Sequence, residues 1–243
     1  MPTQEWLETY KDKKKLMTCP NDLNAYFDAD IIGGKSVDRL PIGTVSLPSG
    51  SIIVCDPLAH LGEENTPYYL SIKPGDYGVT LAVVTPSDDD CARYAAARVQ
   101  FTSAEAVYYT EALTGTEDLS AVEDDGDGFG FPVDAGIACI CDAQTRDAFV
   151  VFEKEWQSKA GKDANLYDDY FSDLMDKNYE EHPLYQRKGG DWLNWQIPGT
   201  TYHIPIFSSG FGDGFYPTWF GFDKDGNICS LVVQFIDIEN AYT

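Results

Sequence analysis

The sequence lacks a long apolar run, since no segment approaches the roughly 18 consecutive apolar residues that a membrane-spanning helix requires. Residues 1–17 are charged and amphipathic and contain no uninterrupted apolar stretch of the kind found in secretory signals. The six cysteines are scattered, mostly among apolar neighbours, which indicates buried reduced thiols rather than a disulfide framework. We therefore predict a cytoplasmic protein that makes no membrane contact.

Basic residues are scarce. The chain has 17 Lys and Arg against 40 Asp and Glu, which gives a formal net charge of −23 at pH 7. Nucleic acids and anionic membranes are bound largely through Lys and Arg, so both are disfavoured as partners. The acidity is explained either by solubility or by a surface that docks a basic protein, because complementary charge speeds encounter.

Catalytic motifs are missing as well. The chain has three histidines and contains no HExxH pair, no GxSxG turn and no GxxxxGK[ST] phosphate loop. Cys139 and Cys141 share one face of a predicted strand, but no second cysteine pair supplies further metal ligands. Core packing is the preferred explanation for them, and a soft-metal or oxidation site is the alternative. The sequence predicts no catalytic residue, no metal and no cofactor.

What is present predicts an α+β fold with a mostly antiparallel, sandwich-like β core. Residues 42–47 and 51–55 flank a Pro-Ser-Gly turn and predict a hairpin, and residues 78–85 and 91–101 predict a second β pair. Three strands are predicted over residues 202–207, 216–222 and 228–236. The last two are joined by a hairpin turn at residues 223–227.

Helices are predicted at the N-terminus and in the middle of the chain. Thr3 is a suitable N-cap, and the lysines of residues 11–15 suit the negative end of the helix macrodipole. Further helices are predicted at residues 103–113, 144–160 and 164–178. Because no low-complexity linker divides the chain, we predict a single domain over residues 1–243, with an N-terminal helix at 1–17 and a β-rich core at 40–237.

One internal similarity suggests a half-repeat. Residues 126–132 read GDGFGFP and residues 212–217 read GDGFYP, and an apolar segment follows each, ending at 150–152 and 233–235. The match requires a one-residue gap, so two turns of independent origin explain it equally well. The glycines of these turns are expected to adopt positive φ.

The acidic segment after residue 122 resembles a calcium loop in its spacing. Glu123, Asp125 and Asp127 alternate, and Gly128 and Asp134 follow at the EF-hand positions. The final ligand is Asp rather than the usual bidentate Glu, and a strand follows where a helix should begin. An acidic β-turn is therefore the favoured interpretation.

The same turns supply a candidate ligand site. Asp127 and Asp213 are expected to cap the backbone of the two turns or, alternatively, to stand at the mouth of a groove. Aromatic side chains would line that groove: Trp195, Phe215, Tyr216 and Trp219.

Four segments in order resemble the mainly bacterial family called domain of unknown function 4241. They are LPSGSIIVCDPL (47–58), KPGDYGVTLAVV (73–84), FPVDAGIACICDA (131–143) and SSGFGDGFYPTWFGFDKDGNICSLVVQF (208–235). The resemblance covers about residues 40–237 and implies a compact β-rich domain without an established activity. It also implies recurring positions, among them Asp56, Asp134, Asp142, Asp213 and Tyr216. Gln234 departs from the family pattern, which tends to have Asp there.

Two functional hypotheses follow. The first is a non-enzymatic binding protein, of the immunity or antitoxin kind, that neutralises a basic, toxin-like partner through its acidic surface. The alternative is a metal- or small-ligand-binding enzyme built around the two Gly-Asp-Gly turns. Its candidate ligand-binding residues are Asp127, Asp134, Asp142, Asp213, Tyr216 and Trp219.

Overall fold

A computed structural model of the chain describes residues 1–63, 65–85, 92–124 and 128–242. The fold is α+β and rich in β-sheet, as the sequence predicts, and every strand pairing in the described ranges is antiparallel. The strands are β1 (Ile31–Ile32), β2 (Lys35–Leu47), β3 (Ile52–Cys55), β4 (Gly75–Thr85), β5 (Arg93–Gln100), β6 (Tyr108–Glu111), β7 (Phe131–Val133), β8 (Ile137–Asp142), β9 (Trp192–Gln196), β10 (His203–Ser208), β11 (Gly214–Tyr216), β12 (Thr218–Phe222) and β13 (Ile228–Gln234).

The strands form three sheets. A curled seven-stranded sheet has the order β1-β2-β4-β5-β13-β12-β6. A four-stranded sheet has the order β3-β8-β10-β9, and β11 pairs with β7 in a short third sheet. The pairs β4–β5 and β12–β13 confirm the two β pairs predicted from sequence.

The helices cover one end and one face of this assembly. They are α1 (Gln4–Lys13), α2 (Ala25–Asp28), α3 (Ala143–Ala160), α4 (Ser172–Glu181) and α5 (Ile238–Ala241), and a π-helical turn at Tyr167–Phe171 precedes α4. Thr3 caps α1 by accepting from the Trp6 amide at 3.1 Å, as predicted. Within the described ranges, no helix combines the length and apolar character needed to cross a bilayer.

The four-stranded sheet is buried on both faces, which makes the fold a three-layered sandwich. Alternate residues of β3 and β8 point to opposite sides, as the period of a strand requires. Val54 and Ile140 pack in the core shared with the seven-stranded sheet. Cys55, Cys139 and Cys141 face the other way, toward α3 and α4. The apolar runs of these strands therefore reflect burial on both sides.

The predicted hairpin at residues 42–55 is wrong. β2 pairs with β4 in the seven-stranded sheet, whereas β3 pairs with β8 in the four-stranded sheet. Gly50, at φ +74°, lies in the crossing turn, where a Cβ would come within 2.0 Å of the Ile72 carbonyl oxygen. The turn therefore packs against Ile72 and carries the chain from one layer to the next.

The predicted helix at residues 103–113 is also wrong. The segment forms β6, which pairs with β12 at the edge of the large sheet and places Glu111 opposite Trp219. Residues 109–113 are all buried, so the spacing of the apolar residues carries no helical information. Tertiary pairing overrides the local preference here.

The two Gly-Asp-Gly segments continue differently. Each enters a strand, and these strands, β7 and β11, pair with each other. Residues 150–152 then lie within α3, whereas 233–235 lie at the end of β13. Gly212 has the expected positive φ (+107°), but Gly214 lies within β11 without one. In the described residues the structural similarity is limited to the paired strands β7 and β11 and does not extend to a half-repeat.

Candidate functional site

The predicted ligand-binding residues do not converge on one site. Asp127 lies outside the described residues. Asp134 and Asp213 are exposed, whereas Asp142 is fully buried. Trp195 packs in the core beneath α3 rather than in a groove with Trp219.

Asp142 joins the crossing turn to the start of α3. Its carboxylate accepts from the Ser49 amide (3.1 Å), the Ser49 hydroxyl (2.8 Å) and the Ser51 amide (3.1 Å). It also accepts from the Gln144 amide at 2.8 Å, which makes it the N-cap of α3 in a capping box with Thr145. Both carboxylate oxygens thus accept hydrogen bonds from neighbouring segments of the chain, and Asp142 acts as a structural clamp.

Asp56 has the same role at the other end of the β3–β8 pair and accounts for the position of Asp134. The buried Asp56 carboxylate accepts from four amides: Leu58, Ala59, Asp134 and Ala135. The Asp134 carboxylate points outward and contacts His60 Nε2 at 3.1 Å. Within the described residues, no group of three or more His, Cys, Asp or Glu side chains is arranged to hold a metal.

Tyr216 is hydrogen-bonded to the turn that precedes it. Its hydroxyl donates to the Gly212 carbonyl at 2.7 Å and lies 3.1 Å from the Ser209 carbonyl, while its ring is buried against Phe235. Burial raises the pKa of this hydroxyl. The geometry is that of a tyrosine that fastens a loop.

We expect Tyr216→Phe to lower the free energy of unfolding by about 1 kcal/mol, because buried carbonyls lose a donor. Tyr167→Phe is the control, because Tyr167 is exposed on the π-helical turn. Urea denaturation of the two variants measures the difference. Equal midpoints would contradict the fastening role of Tyr216.

Trp219 and Phe215, two of the residues predicted to line an aromatic groove, line a cleft together with Glu111 and Phe129, which sequence reasoning missed. The cleft has a volume of about 300 Å³ and lies between the segment after α1 and the segments that flank β7 and β11. Phe129, Phe215 and Trp219 contribute aromatic rings, and Glu111 contributes a carboxyl group to the wall. Phe215 is 62% exposed, whereas Trp219 and Glu111 are buried. The register of β6 and β12 sets Glu111 and Trp219 side by side.

Glu111 is the unusual group in this cleft. Its Oε1 accepts from the Phe129 amide at 3.0 Å. Its Oε2, like the Trp219 indole Nε1, is buried and has no hydrogen-bond partner among the described residues. Burial raises the pKa of Glu111 from its ordinary 4.5 to about 7. Buried groups whose pKa is shifted toward neutrality are concentrated at functional sites.

A second feature is an acidic face on α4, whose opposite side helps to line an apolar groove through Asn178. Asp173, Asp176 and Glu180 are spaced i, i+3 and i+7, and all three are exposed. The neighbouring groove, of about 610 Å³, includes Leu184 and Trp192 in its lining. Leu184 is 61% exposed, and the buried Trp192 indole nitrogen has no partner in the described part of the chain.

The cysteines of the four-stranded sheet form a buried group. Cys55 Sγ lies 3.8 Å from Cys139 Sγ across two paired strands, and the cysteines in the described ranges are free. Burial raises the pKa of the Cys139 thiol well above its usual range. A thiol held in the protonated form is a poor nucleophile and metal ligand, so packing is its role in this geometry.

Comparison with protein families matches residues 45–233 to the family described as "Protein of unknown function (DUF4241)". The chain belongs to the DUF4241 family. No curated protein and no solved structure matches the chain. The structure of this DUF4241 chain gives physical roles to positions that the sequence singled out: Asp56 and Asp142 clamp loops, and Tyr216 fastens a turn.

Gln234, at a position where the resemblance leads us to expect Asp, lies just beyond the matched residues. It is buried, and its side-chain amide donates to the Tyr26 hydroxyl at 3.2 Å. The Tyr26 hydroxyl in turn accepts from the Ile238 amide at 3.1 Å. In this DUF4241 chain the residue therefore ties the end of β13 to α2.

Proposed function

We propose that the protein is a non-enzymatic binding protein that captures and neutralises a basic partner protein, in the manner of an immunity or antitoxin protein. The observation that carries the proposal is the exposed acidic face of α4. Neutralisation by occlusion requires complementary charge and shape and no reacting group. A partner with a lysine- or arginine-rich surface fits both the face and the net charge of −23.

The spacing of the acidic residues on α4 destabilises the helix. Asp173 and Asp176 are three residues apart, and Asp176 and Glu180 are four apart, so neighbouring carboxylates repel by about 0.2–0.5 kcal/mol per pair. The helix has one lysine, Lys177, which lies 3.9 Å from Glu181. A partner that brings cations to this face relieves the repulsion.

The groove supplies the apolar centre that an interface requires. Stable interfaces combine a desolvated apolar centre with a polar rim, and their energy is concentrated in a few buried anchors. Here the groove contains Trp192, whose ring is tilted against that of His182 with the ring centroids 5.7 Å apart. A partner side chain that accepts a hydrogen bond would satisfy the Trp192 indole nitrogen.

The free, buried cysteines support a reducing compartment, and we place the proposed encounter in the cytoplasm. Phosphate and anionic lipid are bound largely through Lys and Arg, of which the chain has 17 against 40 Asp and Glu. The proposal therefore includes neither nucleic acid nor membrane as a partner.

The test is a triple charge reversal, Asp173→Lys with Asp176→Lys and Glu180→Lys. We expect it to abolish capture of a basic protein that the wild type retains from native lysate at about 50 mM salt and releases at about 500 mM. If the partner is a toxin, co-expression of the wild type should restore growth and the triple variant should not.

The matched control is Glu5→Lys with Glu8→Lys and Asp12→Lys on α1. These acids have the same i, i+3, i+7 spacing, are also exposed and make the same charge change. The control should retain the partner. Capture of the same protein by both variants, or by neither, would contradict docking on α4.

A further inference from the structure

The cleft at Glu111 is separate from the α4 face and is built as a small-molecule site. A ligand site is concave and mostly apolar, with a few polar groups that fix orientation. This cleft combines the rings of Phe129, Phe215 and Trp219 with one carboxyl group, and its volume of about 300 Å³ suits a small ligand. We propose that it binds a small organic cation, an ammonium group carried on an apolar or aromatic body.

The charge of the Glu111 carboxylate and the net charge of the protein both favour a positively charged ligand. A carboxylate at Glu111 attracts a cation and repels an anion. The net charge of −23 concentrates cations near the surface in the same way. Anionic ligands are therefore the class that this cleft disfavours most strongly.

The aromatic rings select organic cations over hydrated metal ions. The face of an aromatic ring attracts ammonium groups through its quadrupole, most strongly for tryptophan, and such contacts are the usual means of recognising alkylated ammonium. Phe215 at the mouth is exposed, so the ligand would cover it and remove its apolar surface from water.

Ligand binding is coupled to the release of a proton from Glu111. Its Oε2 lacks a partner, and the raised pKa means that the empty site holds a proton near neutral pH. An ammonium group beside the carboxyl favours the ionised form, so binding releases that proton. The unpartnered Trp219 indole nitrogen offers a donor to any hydroxyl or carbonyl that the ligand carries.

Gly128 leaves room for the carboxyl group. A Cβ at this position would lie 2.6 Å from Glu111 Oε1, so the backbone approaches the carboxylate as closely as glycine allows. The Phe129 amide fixes the same oxygen. With Oε1 held, Oε2 is the oxygen left for a ligand.

The experiment is calorimetric titration of the full chain with 2-phenylethylammonium, and with 2-phenylethanol and 3-phenylpropionate as neutral and anionic probes of similar size. We expect the amine to bind more tightly than both. Measured in buffers of different ionisation enthalpy, its binding should release most of one proton at pH 6.5 and almost none at pH 8.5, given a pKa of about 7 for Glu111.

The variants separate the site from non-specific attraction. Glu111→Gln should weaken amine binding at least tenfold, by about 1.4 kcal/mol or more, and abolish proton release. Phe215→Ala, at an exposed side chain, should weaken it severalfold without unfolding the protein. Glu155→Gln removes an exposed acid on α3, away from the cleft, and should change nothing.

Three results would overturn the proposal: no amine binding at millimolar concentration, equal binding by the Glu111→Gln and wild-type proteins, or equal binding of the neutral probe. None of these depends on the α4 face, so failure here leaves the protein-partner proposal standing.

Discussion

Asp142→Ala is expected to cost about 4 kcal/mol of unfolding free energy, which is a large part of the stability of a typical domain. The substitution leaves four donors in the crossing turn and the α3 terminus without their acceptor: the amides of Ser49, Ser51 and Gln144 and the Ser49 hydroxyl. An unpaired donor costs about 1–3 kcal/mol where it is buried; Ser49 and Gln144 are exposed, so water recovers part of this cost, and loss of an N-cap adds about 1 kcal/mol.

Urea denaturation followed by circular dichroism measures this effect. Asp142→Asn keeps one acceptor oxygen and should lose about half as much. Asp147→Ala, at an exposed acid in the same helix, should stay within about 0.5 kcal/mol of the wild type. If Asp142→Ala lowered the free energy of unfolding by less than about 1 kcal/mol, the clamp would contribute little to stability.

Glu111→Gln is expected to change how stability depends on pH. The pKa of Glu111 is 4.5 ordinarily and about 7 in the fold, so folding takes up a proton between these values. The stability linked to this proton is fully present below pH 4.5 and is lost as pH rises through 7. The shift corresponds to about 3 kcal/mol. Relative to the wild type, the glutamine variant should gain that amount between pH 4 and pH 8.

The raised pKa of Glu111 has one dominant cause, which is burial. Burial is the largest influence on its pKa, the Phe129 amide opposes it, and the nearby Glu117 carboxylate adds a smaller upward effect. The Cys19 thiol also faces Glu111 but is itself kept protonated by burial, which raises its pKa to about 12. Denaturation of the two proteins in the same buffers cancels the other titrating groups. A pH-independent difference would mean that Glu111 is ionised normally.

The features that local chemistry determines were predictable from the sequence. Thr3 caps α1, and the Asp223–Asn227 turn closes the β12–β13 hairpin, because both depend on residues within a few positions. The chain path at Gly50 was not predictable in this way. It depends on Asp142, about 90 residues away, which holds the turn between two sheets.

The role of Glu111 in the cleft escaped sequence reasoning for a related reason. A lone glutamate in an apolar segment has no motif, and its segment was predicted as a helix. Only the pairing of β6 with β12 brings it beside Trp219. The signal that the sequence did contain was an acid in the short, otherwise uncharged segment 109–113, which includes Tyr109, Ala112 and Leu113.

The most direct test of the proposed function is the association rate of the captured partner with the wild type and with the two triple charge-reversal variants, measured over a range of salt concentrations. Exposed charges are screened over about 8–10 Å at physiological salt, so attraction through the α4 face must weaken as salt rises. The wild type and the α1 control should associate rapidly, with a steep decrease as salt increases. The α4 variant should associate at least tenfold more slowly at low salt and with little salt dependence. Identical rates and salt dependence for the two variants would contradict the account.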